Sequence, residues 1–226
     1  MAPEDAAVPF RDLTVGGFAA RLGSADPVPG GGSASAVAAA LGAELVAMVA
    51  SLSIDRPKFA AHASLLAAAR ETGLDLADRL MRLADEDATA YGGYAAAMKL
   101  PRETDAERAT RSEALRTAAR AASTVPLEVV EACRDLVVAA ESLAGRSNPN
   151  ASSDLAVAAL LGEAAARGAA ANVEINLPSI GDEALAATQS ARVDGLVAEV
   201  AILAAEARAV VASGVARPPV DEGMLG

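Results

Sequence analysis

What this chain can fold into is narrowed most by its alanine, which comes in long runs with leucine and valine, broken only by short glycine and proline segments. Alanine favours helix above every other residue and is too small to hold two layers apart. Of the 226 residues 53% are apolar, there is no Trp, and no stretch alternates apolar and polar residues as a half-buried strand would. The core must therefore come from helices that approach one another closely. An all-α fold follows, an antiparallel (up-and-down) helical bundle in one domain over residues 1–226, with the tail after about 217 loose. A thin core of small side chains leaves apolar surface over, so a homodimer is expected.

Local signals place the helices. Thr14 caps a short helix through Phe18 and Leu22 that Gly23 closes. Ser33 is the expected N-cap of the next helix, in which Val37, Leu41, Leu45, Met48 and Leu52 share one face. Pro57 opens a long helix carrying Leu65, Leu66, Leu76, Leu80 and Leu83 and ending before Pro101. Thr104 and Glu107 then form a capping box, and Pro126 should break or kink the run that reaches about Leu143. Ser152 or Ser153 caps a helix with a small-residue face at Gly162 and Gly168, and a last helix runs from about Asp182 to Ser213.

Charge and rare residues exclude several functions. A net charge of −11 argues against a nucleic-acid partner. The apolar run from Ala34 to Leu52 is mostly alanine and contains Glu44, which suits a core helix better than a membrane span. Residues 1–10 lack the basic and apolar regions of a secretory signal, so a cytoplasmic location is expected. Cys133 is alone and His62 is the single histidine, so neither a disulfide nor a Cys/His metal site is expected. His62 fits a helix surface better than an acid–base role.

Four groups of residues can carry chemistry. Pro27-Val28-Pro29-Gly30-Gly31-Gly32-Ser33 exposes backbone N–H groups beside a helix start, a geometry for an acidic or electron-rich ligand or, more plainly, a capped loop. Asp87 and Tyr91, four apart, share a helix face, although Asp85-Glu86-Asp87 by itself also suits a solvated acidic patch. Asn148, Asn150, Asn172 and Asn176 offer carboxamides that donate and accept, or that cap helix ends. Lys99, Arg102 and Arg111 can meet carboxylates of a ligand or of the protein surface.

Taken in order, Pro29-Gly30-Gly31-Gly32-Ser33, Asp85 to Tyr91, Met98 to Arg102, Val125-Pro126-Leu127, Asn148 to Asp154 and Asn172 to Leu177 resemble the cyclodeaminase/cyclohydrolase family of folate enzymes. That resemblance implies a tetrahydrofolate one-carbon adduct as substrate, with no permanently bound cofactor. It implies Asp87 as the group that gives and takes a proton. It also implies substrate contacts from Gly30, Gly31, Gly32, Ser33, Tyr91, Lys99, Arg102, Arg111, Asn148, Asn150, Asp154, Asn172 and Asn176. The chain departs from the family at Ser53 to Phe59, where many relatives carry a lysine-rich turn. A length of 226 residues leaves no room for a formiminotransferase half. Hydrolysis of 5,10-methenyltetrahydrofolate is the leading expectation, cyclodeamination of formiminotetrahydrofolate the alternative, and a non-catalytic folate-binding bundle the third.

Overall fold

A computed structural model describes residues 8–220 of the chain. They form six α-helices with no strand among them: α1 (Val15–Leu22), α2 (Gly31–Ser51), α3 (Ala63–Met98), α4 (Asp105–Leu143), α5 (Ser152–Asn176) and α6 (Glu183–Ser213). From α2 onward, helices consecutive in the chain run antiparallel and make the all-α bundle that the composition demands. α4 runs beneath the others and packs on α2, α3, α5 and α6.

Helix ends follow the sequence where a side chain can satisfy an orphan N–H. Thr14 Oγ1 accepts from Gly17 N at 2.9 Å, both halves of the Thr104–Glu107 capping box form, and Asp182 accepts from Leu185 N at 3.0 Å. Packing overrides three other local signals. α2 begins at Gly31 with Gly30 as its N-cap, so Ser33 lies inside the first turn and its hydroxyl is turned to α3. Neither Ser152 nor Ser153 caps α5, because Ala151 holds the N-cap position and Ser152 Oγ donates to Pro149 O at 2.9 Å. Pro126 does not interrupt α4, which continues through it.

The expected apolar face of α2 is only partly buried: Val37 and Leu45 pack on the core, but the centre of the buried face lies elsewhere. Its buried side is Ala36, Ala39, Ala40, Ala43, Val46 and Ala47, whereas Leu41 is 55%, Met48 39% and Leu52 40% exposed. The reason is distance. A Cβ on Gly73 of α3 would lie 2.8 Å from Ala43 O and 2.9 Å from Ala47 N, and one on Gly42 would lie 3.1 Å from Leu136 Cδ2 and 3.2 Å from Ala158 O. Helices this close leave no room for leucine between them. α2 has the length and apolarity of a membrane-crossing helix, yet most of it is buried inside the bundle. Larger side chains fill the core elsewhere, with Leu66, Leu80, Leu136, Leu143 and Leu155 fully buried.

The expected looseness after 217 is not found as far as Val220. Arg217 N donates to Gly145 O at 2.8 Å, Arg146 Nε donates to Pro218 O at 2.7 Å, and Val220 packs on the core. Residues 221–226, and residues 1–7 on which the expectation about a leader rests, lie outside the described residues.

Helix proximity can be tested at two glycines. Gly73→Val is expected to destabilise the fold by roughly 2 kcal/mol or more in urea unfolding, because backbone rather than a movable side chain blocks the new atoms. Gly195→Ala in α6, where a Cβ meets nothing within 4 Å, is expected to stabilise by about 0.5–1 kcal/mol.

Candidate active site

A stripe of α3 organises one cavity. Asp87, Tyr91 and Tyr94 stand at i, i+4 and i+7 and therefore on one face, and all three line a cavity of about 390 Å³. These are the only two tyrosines in the chain. The opposite walls are Gly30, Gly31 and Gly32 at the start of α2, and Asn172, Ile175 and Asn176 in the last turns of α5. Pro27 and Val28, Ala122 and Ser179 complete it. A larger depression of about 830 Å³ opens elsewhere, between α3 and α4. Most of its charged groups are spent on each other or on neighbours, as in Arg217–Glu141 at 2.6 Å and Arg79–Glu128 at 3.4 Å.

Glycine at 32 is required by the carboxyl itself. A Cβ there would overlap Asp87 Oδ1 and lie 2.6 Å from Cγ, so the carboxyl of α3 rests directly on the first turn of α2. Asp87 Oδ2 is 2.9 Å from Ser33 Oγ, and that hydroxyl is also 3.0 Å from Ala84 O. Ser33 is fully buried and both its contacts lie in α3, so it holds Asp87 rather than touching a ligand. Among the described residues no lysine, arginine, histidine or second carboxylate lines the cavity. Burial without a cation raises the Asp87 pKa above the ordinary carboxylate value, and donation from the Ser33 hydroxyl and backbone to an ionised carboxylate would act against it.

The asparagines of α5 are held by backbone carbonyls. Asn176 Nδ2 donates to Asn172 O at 2.7 Å and to Ala122 O at 3.0 Å, and Asn172 Nδ2 donates to Gly168 O at 2.8 Å. Carbonyls only accept, so these contacts fix which end of each amide faces them. Both donors of Asn176 are used, and what it offers the cavity is the acceptor Oδ1. Ala122 O is available because Pro126, four residues on, has no N–H to give it. The proline read from sequence as a break thus fixes an asparagine on a neighbouring helix.

The remaining expected site residues are elsewhere. Lys99, Arg102 and Arg111 surround the α3–α4 turn, with Lys99 about 12 Å beyond Tyr91 along the helix axis. Arg111 Nη2 donates to Met98 O at 3.2 Å and ties that turn together. Among the described residues Lys99 and Arg102 make no ion pair. Asn148, Asn150 and Asp154 do not join Asp87 at all: they sit at the other end of α5, where Asp154 is about 27 Å from Asn172 along the axis. Asn148 Oδ1 accepts from Asn150 N at 3.1 Å and caps a 3-10 turn, and Asp154 lies in the first turn of α5 where a carboxylate suits the helix dipole. His62 is at that end too, its pKa lowered by burial and by Arg146. Sequence reasoning missed Tyr94, Ile175 and Ser179. The i+7 spacing of Tyr94 from Asp87 was a usable signal; for the other two there was none.

Comparison with known proteins places the chain in a family. Residues 14–195 match the family model described as formiminotransferase-cyclodeaminase. The chain is 35% identical over 190 residues to the methenyltetrahydrofolate cyclohydrolase of Methylorubrum extorquens, covering 84% of this chain and 91% of that protein. It is 35% identical over 188 residues to the formimidoyltransferase-cyclodeaminase of Mus musculus, covering 83% of this chain but 35% of that longer protein. The crystal structure of formiminotetrahydrofolate cyclodeaminase from Thermotoga maritima superposes with a TM-score of 0.81 at 25% identity, covering 90% of this chain and 98% of that one. The chain belongs to the formiminotransferase-cyclodeaminase family, and its bundle is that family's fold.

The raised pKa of Asp87 has a stability consequence. The folded state holds this proton more tightly than the unfolded state. The stabilisation is therefore complete below the unfolded pKa and is lost as pH rises through the folded one. Asp87→Asn has no proton to lose. Its melting temperature relative to wild type is expected to improve from well below the ordinary aspartate pKa up to neutrality; a variant that loses ground over that range contradicts the assigned environment.

Proposed function

We propose that the chain is a methenyltetrahydrofolate cyclohydrolase that converts 5,10-methenyltetrahydrofolate to 10-formyltetrahydrofolate. The observation that carries this is the composition of one cavity: both tyrosines of the chain, amide acceptors, and a single half-buried carboxyl without a cation among the described residues. Flat phenol rings suit a flat heterocycle, and the acceptor Oδ1 of Asn176 suits the amino and ring N–H donors of a pterin. The pairing with a cyclohydrolase relative over nearly its whole length supports the same assignment.

In this reaction water adds to the methenyl carbon and loses one proton to solvent, leaving a neutral hydroxyl adduct. The bond from that carbon to N5 then breaks. Asp87 gives its proton to N5 as the electron pair arrives there, and the adduct hydroxyl returns a proton to the carboxylate as it becomes the formyl carbonyl. The acid is regenerated, and a pKa raised toward neutrality is what such two-way transfer requires. The glutamate end of the folate would leave the cavity along α3 toward Lys99 and Arg102.

Cyclodeamination of formiminotetrahydrofolate is the alternative, favoured by the superposition on the Thermotoga maritima enzyme. There N10 attacks the formimino carbon and Asp87 would protonate the departing ammonia. Loss of methenyl absorbance, measured against the spontaneous rate in buffer, decides between the two. Marked acceleration supports the cyclohydrolase; none, together with ammonia release from the formimino compound, supports the cyclodeaminase. Asp87→Asn is expected to lower kcat at least ~100-fold while folding and folate binding persist. Near wild-type turnover in that variant would leave a non-catalytic folate binder.

The assembly proposed for this enzyme is a homodimer in the cytoplasm, with no nucleic-acid or membrane partner. Gly42 of α2 packs on Ala158 and Leu161 of α5, and Leu41, Val157 and Leu160 beside that crossing face solvent. A second copy of the chain would cover them. Sedimentation of wild type is expected to give a dimer that Leu41→Glu with Leu160→Glu converts to a monomer; a monomeric wild type refutes this.

A further inference from the structure

We propose that Ser33 is a positioning residue that keeps Asp87 in its acid form, accepting the carboxyl proton at Oγ and giving its own hydroxyl proton to the carbonyl of Ala84. Its catalytic meaning rests on the proposed function, but the inference itself concerns a proton count that the geometry fixes. Ser33 Oγ is 2.9 Å from Asp87 Oδ2 and 3.0 Å from Ala84 O. A hydroxyl carries one proton. Ala84 O can only accept, so if Asp87 is ionised both neighbours of Ser33 demand the same proton, and one oxygen pair is left in contact with none between them. Ser33 is fully buried, so solvent does not supply a second. If Asp87 carries its proton on Oδ2, the series Asp87 to Ser33 to Ala84 satisfies every member.

The surroundings act in the same direction. Oδ1 rests against Gly32, and Ser33 is the one residue among those described that offers the carboxyl a hydrogen bond, its backbone N–H acting against the effect of burial, so an ionised carboxylate would be poorly solvated by the protein. Burial raises the pKa of Asp87. The titratable groups facing Asp87 are Tyr91 and Tyr94 on its own helix; from α2, α4 and α5 the cavity receives only glycine, alanine, asparagine and isoleucine, with no charge of either sign. Asp85, two residues away, is occupied with Phe10 N at 2.9 Å on another face of α3. Two influences favour an anion, the backbone N–H of Ser33 and the N-terminus of α2 to which it belongs, and burial outweighs the first. The hydroxyl of Ser33 therefore decides the proton's place, and it does so as an acceptor.

The sign of one shift tests this. An infrared pH titration of the intact protein, with Asp87→Asn to assign the band, is expected to show a carboxylic-acid carbonyl that persists above the ordinary aspartate range. In Ser33→Ala the acid form loses its acceptor, and the band is expected to ionise about one pH unit lower, with the high-pH limb of kcat moving down in step. A hydroxyl that donates to a carboxylate predicts the opposite, so an unchanged or upward shift overturns the proposal. Should Ser33→Ala fail to fold, Ser33→Cys, of similar size and weak as an acceptor, carries the same expectation. In wild type alone, ionisation within the ordinary aspartate range overturns it as well. The infrared reading does not depend on turnover: if Asp87→Asn stays active while the band behaves as expected, the catalytic role falls and the Ser33–Asp87 relation stands.

Discussion

The approach of the α2 backbone to its neighbours sets the rest of this structure. Where Gly73 meets Ala43 and Ala47, and where Gly42 meets Leu136 and Ala158, no side chain keeps the helices apart. The same closeness at the N-terminal end of α2 brings Gly32 against the carboxyl of Asp87. Close helix approach thus serves both packing and the placement of the carboxyl: an added methyl group would meet backbone at Gly73, and at Gly32 it would displace the Asp87 carboxyl. The outward leucines of α2 are its other product, since a helix packed through alanine must carry its larger residues on the side away from the core.

Electrostatically the cavity differs from the protein around it. The chain carries a net charge of −11, yet its cavity holds, among the described residues, one carboxyl, two phenols and no cation. An acidic molecule draws positive charge toward itself and repels anions at long range. A positively charged methenyl group is suited to such a field and a glutamate tail is not. The heterocycle would therefore lead into the cavity, with the carboxylates left for basic groups outside it. A carboxyl kept in its acid form, as proposed for Asp87, would also avoid trapping a cationic substrate in a tight ion pair.

Much of this was legible in the residues, for reasons that differ from place to place. The all-α class follows from alanine, and Thr14, Thr104 and Asp182 mark helix starts because their caps are local bonds. The face of α2 was not legible, because periodicity finds the larger side chains while a close crossing buries the smaller ones. Asp87 with Tyr91 was visible as a spacing, and Gly30 to Gly32 as a loop meeting a helix. The asparagines were not separable by sequence. Asn148 and Asn150 resemble Asn172 and Asn176 in kind and grouping, and only the length of α5 puts one pair beside Asp87 and the other at the far end. Ser33 illustrates a further limit: its serine suggested a cap, and its partner lies in another helix.

Pro126 has a consequence for anyone who would make this protein more robust. Proline inside a long helix is an obvious target for replacement, since alanine there restores a main-chain bond and a better helix former. In this bundle the vacant position is already used, because Ala122 O holds the amide of Asn176 at the cavity wall. A restored N–H would compete for that carbonyl and leave the amide held by Asn172 O alone, loosening its hold at the cavity wall. Helix stability and the hold on this amide are coupled at Pro126 with opposite signs, so a change that strengthens α4 weakens the fixing of Asn176.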